Sequence, residues 1–246
     1  SQAVMQVYAS DVSVEFKSDS SPVTLADIQA NDILVNSIQQ RWPQIPLLTE
    51  EASSELDSSV STYWAIDPLD GTKEFIGKNG QFTVNIALVS QGFPLVGLVA
   101  APALGLLYVG DQDKGVKKRA QGVWTNLHGI KEEPDWLDYD QPLKVAASRS
   151  HPSPELTAWL SNYPHHQLYE IGSSLKLCQV LEGGVDCYPR LAPTSIWDIA
   201  AGHAILRALG GEIWLWPLEN RQPLRYADVT QVLNPSFIAT GALKST

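Results

Sequence analysis

The chain reads as a mixed α/β protein in two halves, the first α+β in character and the second alternating α/β. Three observations lead there. A capped helical pattern gives way to a series of short apolar runs separated by Gly and Pro turns, as far as Gly110. Beyond Pro142 apolar runs of strand length alternate with helical patterns. Between them lies Lys-Glu-Glu-Pro-Asp-Trp-Leu-Asp-Tyr-Asp-Gln-Pro, residues 131–142, charged and without periodicity, which places a boundary near residue 140 and predicts units 1–140 and 141–246.

Taken in order, Thr24 is placed to cap a helix over residues 25–41, with Ile28, Val35, Ile38 and Trp42 at helical spacing and Pro43 ending it. Asp27 falls in its first turn. Ile45-Pro46-Leu47-Leu48 runs into Thr49-Glu50-Glu51, acids at an expected strand end. An apolar strand at 63–66 leads into Asp67-Pro68, where proline is expected to stop it as a central strand. Strands at 82–89, 95–101 and 106–110 follow, made antiparallel neighbours by turns at Gln91-Gly92 and at 102–105. The second half predicts strand 143–147, helix 154–162, strand 167–171, helix 174–181, strand 185–191 and helix 195–209. Gly210-Gly211 ends that helix, and strands at 212–216 and 237–240 complete the chain.

With 246 residues, 44% of them apolar, the chain can bury a large core without disulfides. Its two cysteines, Cys178 and Cys187, suit small apolar positions in a reducing compartment. His165, His166 and His203 lack partners at zinc-ligand spacing. No repeat is visible, and no apolar run approaches the roughly 18 residues of a membrane span. The N-terminus shows no secretory leader. These features predict a cytoplasmic protein, with peripheral attachment at the inner membrane as a variant if the source is bacterial. A formal charge of −10 argues against binding nucleic acid, which needs a basic face. It is compatible with a small phosphorylated substrate, because cations held by carboxylates invert the local field. The sequence carries no signal for oligomeric state.

The most informative stretch is Trp64-Ala65-Ile66-Asp67-Pro68-Leu69-Asp70-Gly71-Thr72. An apolar strand delivers two carboxylates into a small volume, and Gly71 allows a backbone conformation that other residues resist. Paired carboxylates repel unless a cation or proton lies between them, and hard oxygen ligands suit Mg²⁺. The same residues also suit an ordinary polar turn. Glu50-Glu51 and Trp197-Asp198 add acids on separate elements, the usual construction of a metal cluster. Trp197 is placed to brace Asp198. Ser173 and Lys176 stand three apart at a helix start, behind Gly172, where they can share a face toward an anion. Arg190, at a strand end, can clamp a phosphate through its planar fork.

Val23-Thr24-x-Ala26-Asp27, Glu50-Glu51, Asp67-Pro68-Leu69-Asp70-Gly71-Thr72 and Trp197-Asp198-x-Ala200-Ala201-Gly202, in this order, resemble the inositol-monophosphatase-like superfamily of Mg²⁺-dependent, Li⁺-sensitive phosphatases. Lys73-Glu74-Phe75, Ser148-Arg149-Ser150-His151, Gly172-Ser173-Ser174-Leu175-Lys176 and Tyr188-Pro189-Arg190 are similar to the 3'(2'),5'-bisphosphate nucleotidases within it. The resemblance implies a five-layered αβαβα sandwich with the site between the halves. It further implies release of the 3'-phosphate of adenosine 3',5'-bisphosphate, a step that clears a by-product of sulfur metabolism. Glu50, Asp67 and the Leu69 carbonyl would hold one metal, and Asp67, Asp70 and Asp198 a second. Glu50 would face a third ion, and the role of Glu51 stays open. Thr72 and Asp27 match the pair that orients and deprotonates the attacking water. Gly71, Thr72, His151, Ser173, Lys176, Arg190 and Asp198 match substrate contacts.

Three other readings compete. A haloacid-dehalogenase-type phosphatase needs a nucleophilic aspartate where Pro68 stands. An inositol or sugar phosphatase of the same fold fits the acids, but not Lys73-Glu74-Phe75 or residues 173–176. A non-catalytic nucleotide sensor would be expected to have lost Asp27 or Thr72.

Overall fold

The computed structural model describes the chain except residues 11–13, 17–21, 52–55, 130–131, 133–140, 150–152 and 243–246. Its elements, in order, are α1 (Gln2–Tyr8), β1 (Val14–Phe16), β2 (Pro22–Thr24), α2 (Leu25–Arg41), β3 (Leu47–Thr49), β4 (Thr62–Asp70), α3 (Thr72–Ile76), β5 (Thr83–Ser90), β6 (Phe93–Ala101), β7 (Leu106–Asp111), β8 (Gly115–Ala120) and β9 (Val123–Leu127). There follow β10 (Leu143–Ser148), α4 (Pro154–Leu160), β11 (His166–Ile171), α5 (Leu175–Leu181), β12 (Cys187–Arg190), α6 (Ile196–Arg207), β13 (Glu212–Leu215) and β14 (Phe237–Thr240). The stretch predicted as a boundary lies mostly outside the described residues.

A seven-stranded sheet, in order β3 to β9, is antiparallel except for the β3–β4 pair. A five-stranded sheet has the order β11-β10-β12-β14-β13. In it β10 runs parallel to β11 and β12, whereas β14 runs antiparallel to β12 and β13. The alternation in the sequence therefore predicts the parallel part and not the return of the last strands.

Residue alternation explains the layering. On β12 and β14, Tyr188, Phe237 and Ala239 face an interior shared with α5, α6 and the seven-stranded sheet. Cys187 and Ile238, their alternates, pack with Trp159 of α4 on the opposite face. Helices α1 and α2 cover the outer face of the seven-stranded sheet through Val4, Ala26 and Ala30. The result is the five-layered αβαβα sandwich. Small residues bring the central layer close: a Cβ on Gly97 of β6 would lie 2.1 Å from the Ala201 carbonyl oxygen of α6.

Two expectations need correction. The buried face of α2 is Ala26, Asp27, Ala30, Asn31 and Ile38, while Ile28 is 45% exposed. Small and polar residues set this interface because the helix serves a polar site as well as a core. Pro68 does not stop β4, which continues to Asp70 through a register irregularity. No described helix is long and apolar enough to cross a membrane.

Candidate active site

The irregularity in β4 places the first two acids. Asp67 pairs with Asn85 and Asp70 with Thr83, so three steps on β4 match two on β5. In a regular strand residues three apart point to opposite faces; one extra residue returns Asp70 to the face of Asp67. Pro68 is tolerated within this bulge, where the ladder is interrupted. Gly71 then takes φ +89°, a left-handed turn into α3 that a side chain would strain.

Two helix starts supply further acids. Asp27 is the third residue of α2, and its Oδ2 accepts from the Thr24 backbone N–H (2.8 Å) and the Thr24 hydroxyl (2.6 Å). Asp198 is the third residue of α6, and its Oδ2 accepts from the Ser195 N–H at 2.8 Å. Each acid satisfies an otherwise orphaned backbone donor and lies at the positive end of a helix. Glu50 follows β3, and its N–H bonds the Ile66 carbonyl of β4 at 3.3 Å. Thr49, beside it, donates to Asn31 of α2 at 2.7 Å.

Oxygens of Glu50, Asp67 and Asp198 converge within 4.8 Å of one another. In Asp67 one carboxylate oxygen is tied and the other is not. Asp67 Oδ1 accepts the Leu69 N–H at 2.9 Å, while its fully buried Oδ2 has no partner among the described residues. Burial first, then the charges of Glu50, Asp70 and Asp198, push Asp67 well above the usual carboxylate range. Burial, with Asp70 and Glu50 adding to it, pushes Asp198 up to about 8 against the Ser195 bond and Arg190. A protein interior avoids such a cluster unless a cation compensates it. An orphaned carboxylate oxygen within an all-oxygen donor set fits Mg²⁺.

Beside this cluster the Thr72 hydroxyl lies 3.4 Å from Asp27 Oδ1 and 3.4 Å from the Leu69 carbonyl oxygen. Burial raises the pKa of Asp27, with Glu51 adding to it and the Thr24 bonds opposing.

A cavity of about 400 Å³ opens from the acids. It is lined by Glu50, Asp70, Gly71, Thr72 and Asp198, with Ser173, Lys176 and Arg190 also on its wall. Ser173 sits outside α5 at φ +47°, its buried hydroxyl without a partner among the described residues. Such left-handed strain in a non-glycine residue clusters at functional sites. The Lys176 ammonium folds back onto the Ser173 carbonyl at 2.6 Å, and burial pushes it down to about 8, with Asp70 opposing. Arg190 donates to the Pro193 carbonyl at 2.8 Å and keeps a buried Nε without a partner among the described residues.

Sequence reasoning needs one correction here: Gly172 does not open a helix start to an anion. Helix α5 begins at Leu175, and Gly172 is packed so closely that a Cβ would lie 2.6 Å from the Gln81 carbonyl oxygen. His151 lies outside the described residues. Thr83, Asn85 and Ser174 stand behind Asp70, and of these only Ser174 falls in a stretch that the sequence marks, without a role of its own. A polar Asn85 within the apolar run Val84-Asn85-Ile86 was the available signal.

This fold and this acid-lined cleft define a class. The sequence model of the inositol monophosphatase family matches residues 1–242, and the chain belongs to that family, which is metal-dependent. Among its relatives, the chain is similar to the 3'(2'),5'-bisphosphate nucleotidase CysQ of Salmonella typhimurium, at 43% identity over 97% of this chain and 94% of that one. The crystal structure of CysQ from Bacteroides thetaiotaomicron, a bacterial member of the inositol monophosphatase family, superposes with a TM-score of 0.79 at 36% identity, covering 99% and 93% of the two chains. The extragenic suppressor protein suhB from Bartonella henselae shares the fold, with a TM-score of 0.76 at 22% identity over 98% and 88%.

Proposed function

We propose that this chain hydrolyses the 3'-phosphate of adenosine 3',5'-bisphosphate to AMP and phosphate, by direct attack of water and in the presence of Mg²⁺. The observation that carries the reading is the convergence of Glu50, Asp67 and Asp198 around an orphaned carboxylate oxygen, beside the Thr72–Asp27 pair. The names of the relatives at 33–43% identity support the substrate.

Glu50, Asp67 and the Leu69 carbonyl would hold one ion, and Asp67, Asp70 and Asp198 another, with a third facing Glu50. Bound Mg²⁺ supplies positive charge that acidifies water and neutralises the phosphate oxygens. Thr72 accepts a hydrogen bond from the water and directs its own proton toward Asp27 Oδ1. The other Asp27 oxygen stays fixed by Thr24, and its raised proton affinity suits it to receive the proton lost by the water. As water oxygen bonds to phosphorus, the bond to the 3'-oxygen breaks and that oxygen takes a proton from solvent. Ser173, Lys176 and Arg190 offer donors to the nucleotide and its second phosphate. Gly71 lets the chain pass close to the substrate, and His151 is kept as a further contact.

Lys176 and Arg190 on the cavity wall weigh against an inositol ester as the preferred substrate. The intact Thr72–Asp27 pair weighs against a non-catalytic sensor. Sensitivity to Li⁺, a cytoplasmic location and division into units 1–140 and 141–246 belong to the same proposal.

Asp27→Ala tests it: turnover should fall by at least about a hundredfold while divalent-cation binding persists. Unchanged turnover would show that another group takes the proton.

A further inference from the structure

Behind the acids lies a polar seam that water activation does not use. Thr83 and Asn85, both fully buried on β5, and Ser174, 3% exposed just before α5, converge on a single atom, Asp70 Oδ2. Their distances to it are 3.3 Å from Thr83 Oγ1, 3.3 Å from Asn85 Nδ2 and 3.0 Å from Ser174 Oγ. Ser174 Oγ also lies 2.6 Å from the Asp198 backbone carbonyl oxygen and accepts from Asn85 Nδ2 at 2.9 Å.

The seam joins the seven-stranded sheet to the helical layer packed between the two sheets. Asp70, Thr83 and Asn85 belong to that sheet, whereas Ser174 and Asp198 stand at the starts of α5 and α6. One hydroxyl, with one proton, therefore lies between a carboxylate from one sheet and the backbone of the acid facing it. The Asn85 amide is committed to the same place. Its Oδ1 is buried with no partner among the described residues, a costly arrangement. Turning the amide over would set that oxygen against the Asp70 carboxylate, so the orphan is the consequence of keeping N–H groups on Asp70.

We infer that Ser174 and Asn85 are positioning residues that fix Asp70 against Asp198 across the seam, and thereby set the affinity of the cluster for divalent cations. The inference rests on the metal-dependent reading given above. Partners that orient metal-binding carboxylates typically change metal affinity by 10–100-fold when removed.

The test is titration calorimetry of the full chain with Mn²⁺ and Mg²⁺, alongside melting of the cation-free protein and the Mg²⁺ dependence of phosphate release. Ser174→Ala should bind cations roughly ten- to a hundredfold more weakly. Asn85→Ser, an independent variant, should do the same, while Ser174→Thr, which keeps the hydroxyl, should stay close to wild type. The loss should appear as a higher Mg²⁺ requirement, with kcat largely recovered at saturation. Tyr108→Phe is the comparison, since it removes a 2.9 Å bond to Glu182 across the same two halves and away from the acids. Wild-type affinity in Ser174→Ala and Asn85→Ser would overturn the positioning role and leave the metal reading intact. An equal loss in Tyr108→Phe would reduce the seam to a structural tether and also overturn it. Failure of the wild-type chain to bind either cation would overturn both readings.

Discussion

At the scale of single residues, the site is a set of carboxylates whose electrostatic cost serves their chemistry. Asp67 is the extreme case, 1% exposed, with one oxygen tied to Leu69 and the other bare. Asp67→Asn keeps the shape and removes the charge. It should lower turnover by more than about a hundredfold, beyond the usual effect of a residue that only orients a ligand. It should also raise the melting temperature of the cation-free chain, because it relieves repulsion from Glu50, Asp70 and Asp198. Parallel assays and melts check both. A variant that is inactive and also less stable would mean that Asp67 is chiefly structural.

At the scale of elements, the parts set by local chemistry were legible in the sequence and the parts set by packing were not. Helix α2 is legible in the sequence because Thr24 caps it and Pro43 follows its end. The Gln91-Gly92 turn correctly gave the antiparallel β5–β6 pair, with φ +52° and +77° at its two residues. The same signal at Gln121-Gly122, φ +49° and +87°, joins β8 and β9, which the sequence does not announce because Lys117-Lys118-Arg119 breaks the apolar pattern of β8. The acids were legible as types at strand and helix ends. The extra residue in β4 was not, since a register shift exists only relative to a partner strand. Ser174 and Asn85 escaped for the same reason, as their meaning depends on a neighbour from a distant part of the chain. Packing of α6 on β6 is another such case, and it bears on function because α6 carries Asp198. Gly97→Ala would force a Cβ against Ala201 and Ala204, costing about 1–3 kcal/mol in denaturant unfolding. An unchanged midpoint would mean that the layers separate without cost.

At the scale of the whole molecule, one continuous core joins the two sheets, from Tyr63, Ala87 and Val99 to Tyr188, Phe237 and Ala239. Tyr63 adds a 3.1 Å hydrogen bond to the Tyr226 carbonyl across it. Stability should therefore respond to the acid cluster as a whole. Asp67 and Asp198 have folded-state pKa values above the ordinary 3.8, with Asp198 at about 8. Between those limits the folded chain holds more protons than the unfolded chain. The stabilisation is complete below the ordinary value and is lost as pH rises through the raised ones. The melting temperature of the cation-free protein should thus fall from pH 5 toward pH 8, and millimolar Mg²⁺ should restore it by binding the folded state. A cation-free melting curve that rises over this range would contradict the assignment of the cluster.

The central claim is that the acid cluster and the donors on the cavity wall together select a nucleoside 3',5'-bisphosphate for cation-dependent hydrolysis. Phosphate release from adenosine 3',5'-bisphosphate, measured beside inositol 1-phosphate with Mg²⁺, without it, and with millimolar Li⁺ added, tests it most directly. The account predicts preference for the bisphosphate, dependence on Mg²⁺ and inhibition by Li⁺. Preference for the inositol ester, or release that continues in the absence of any divalent cation, would contradict it.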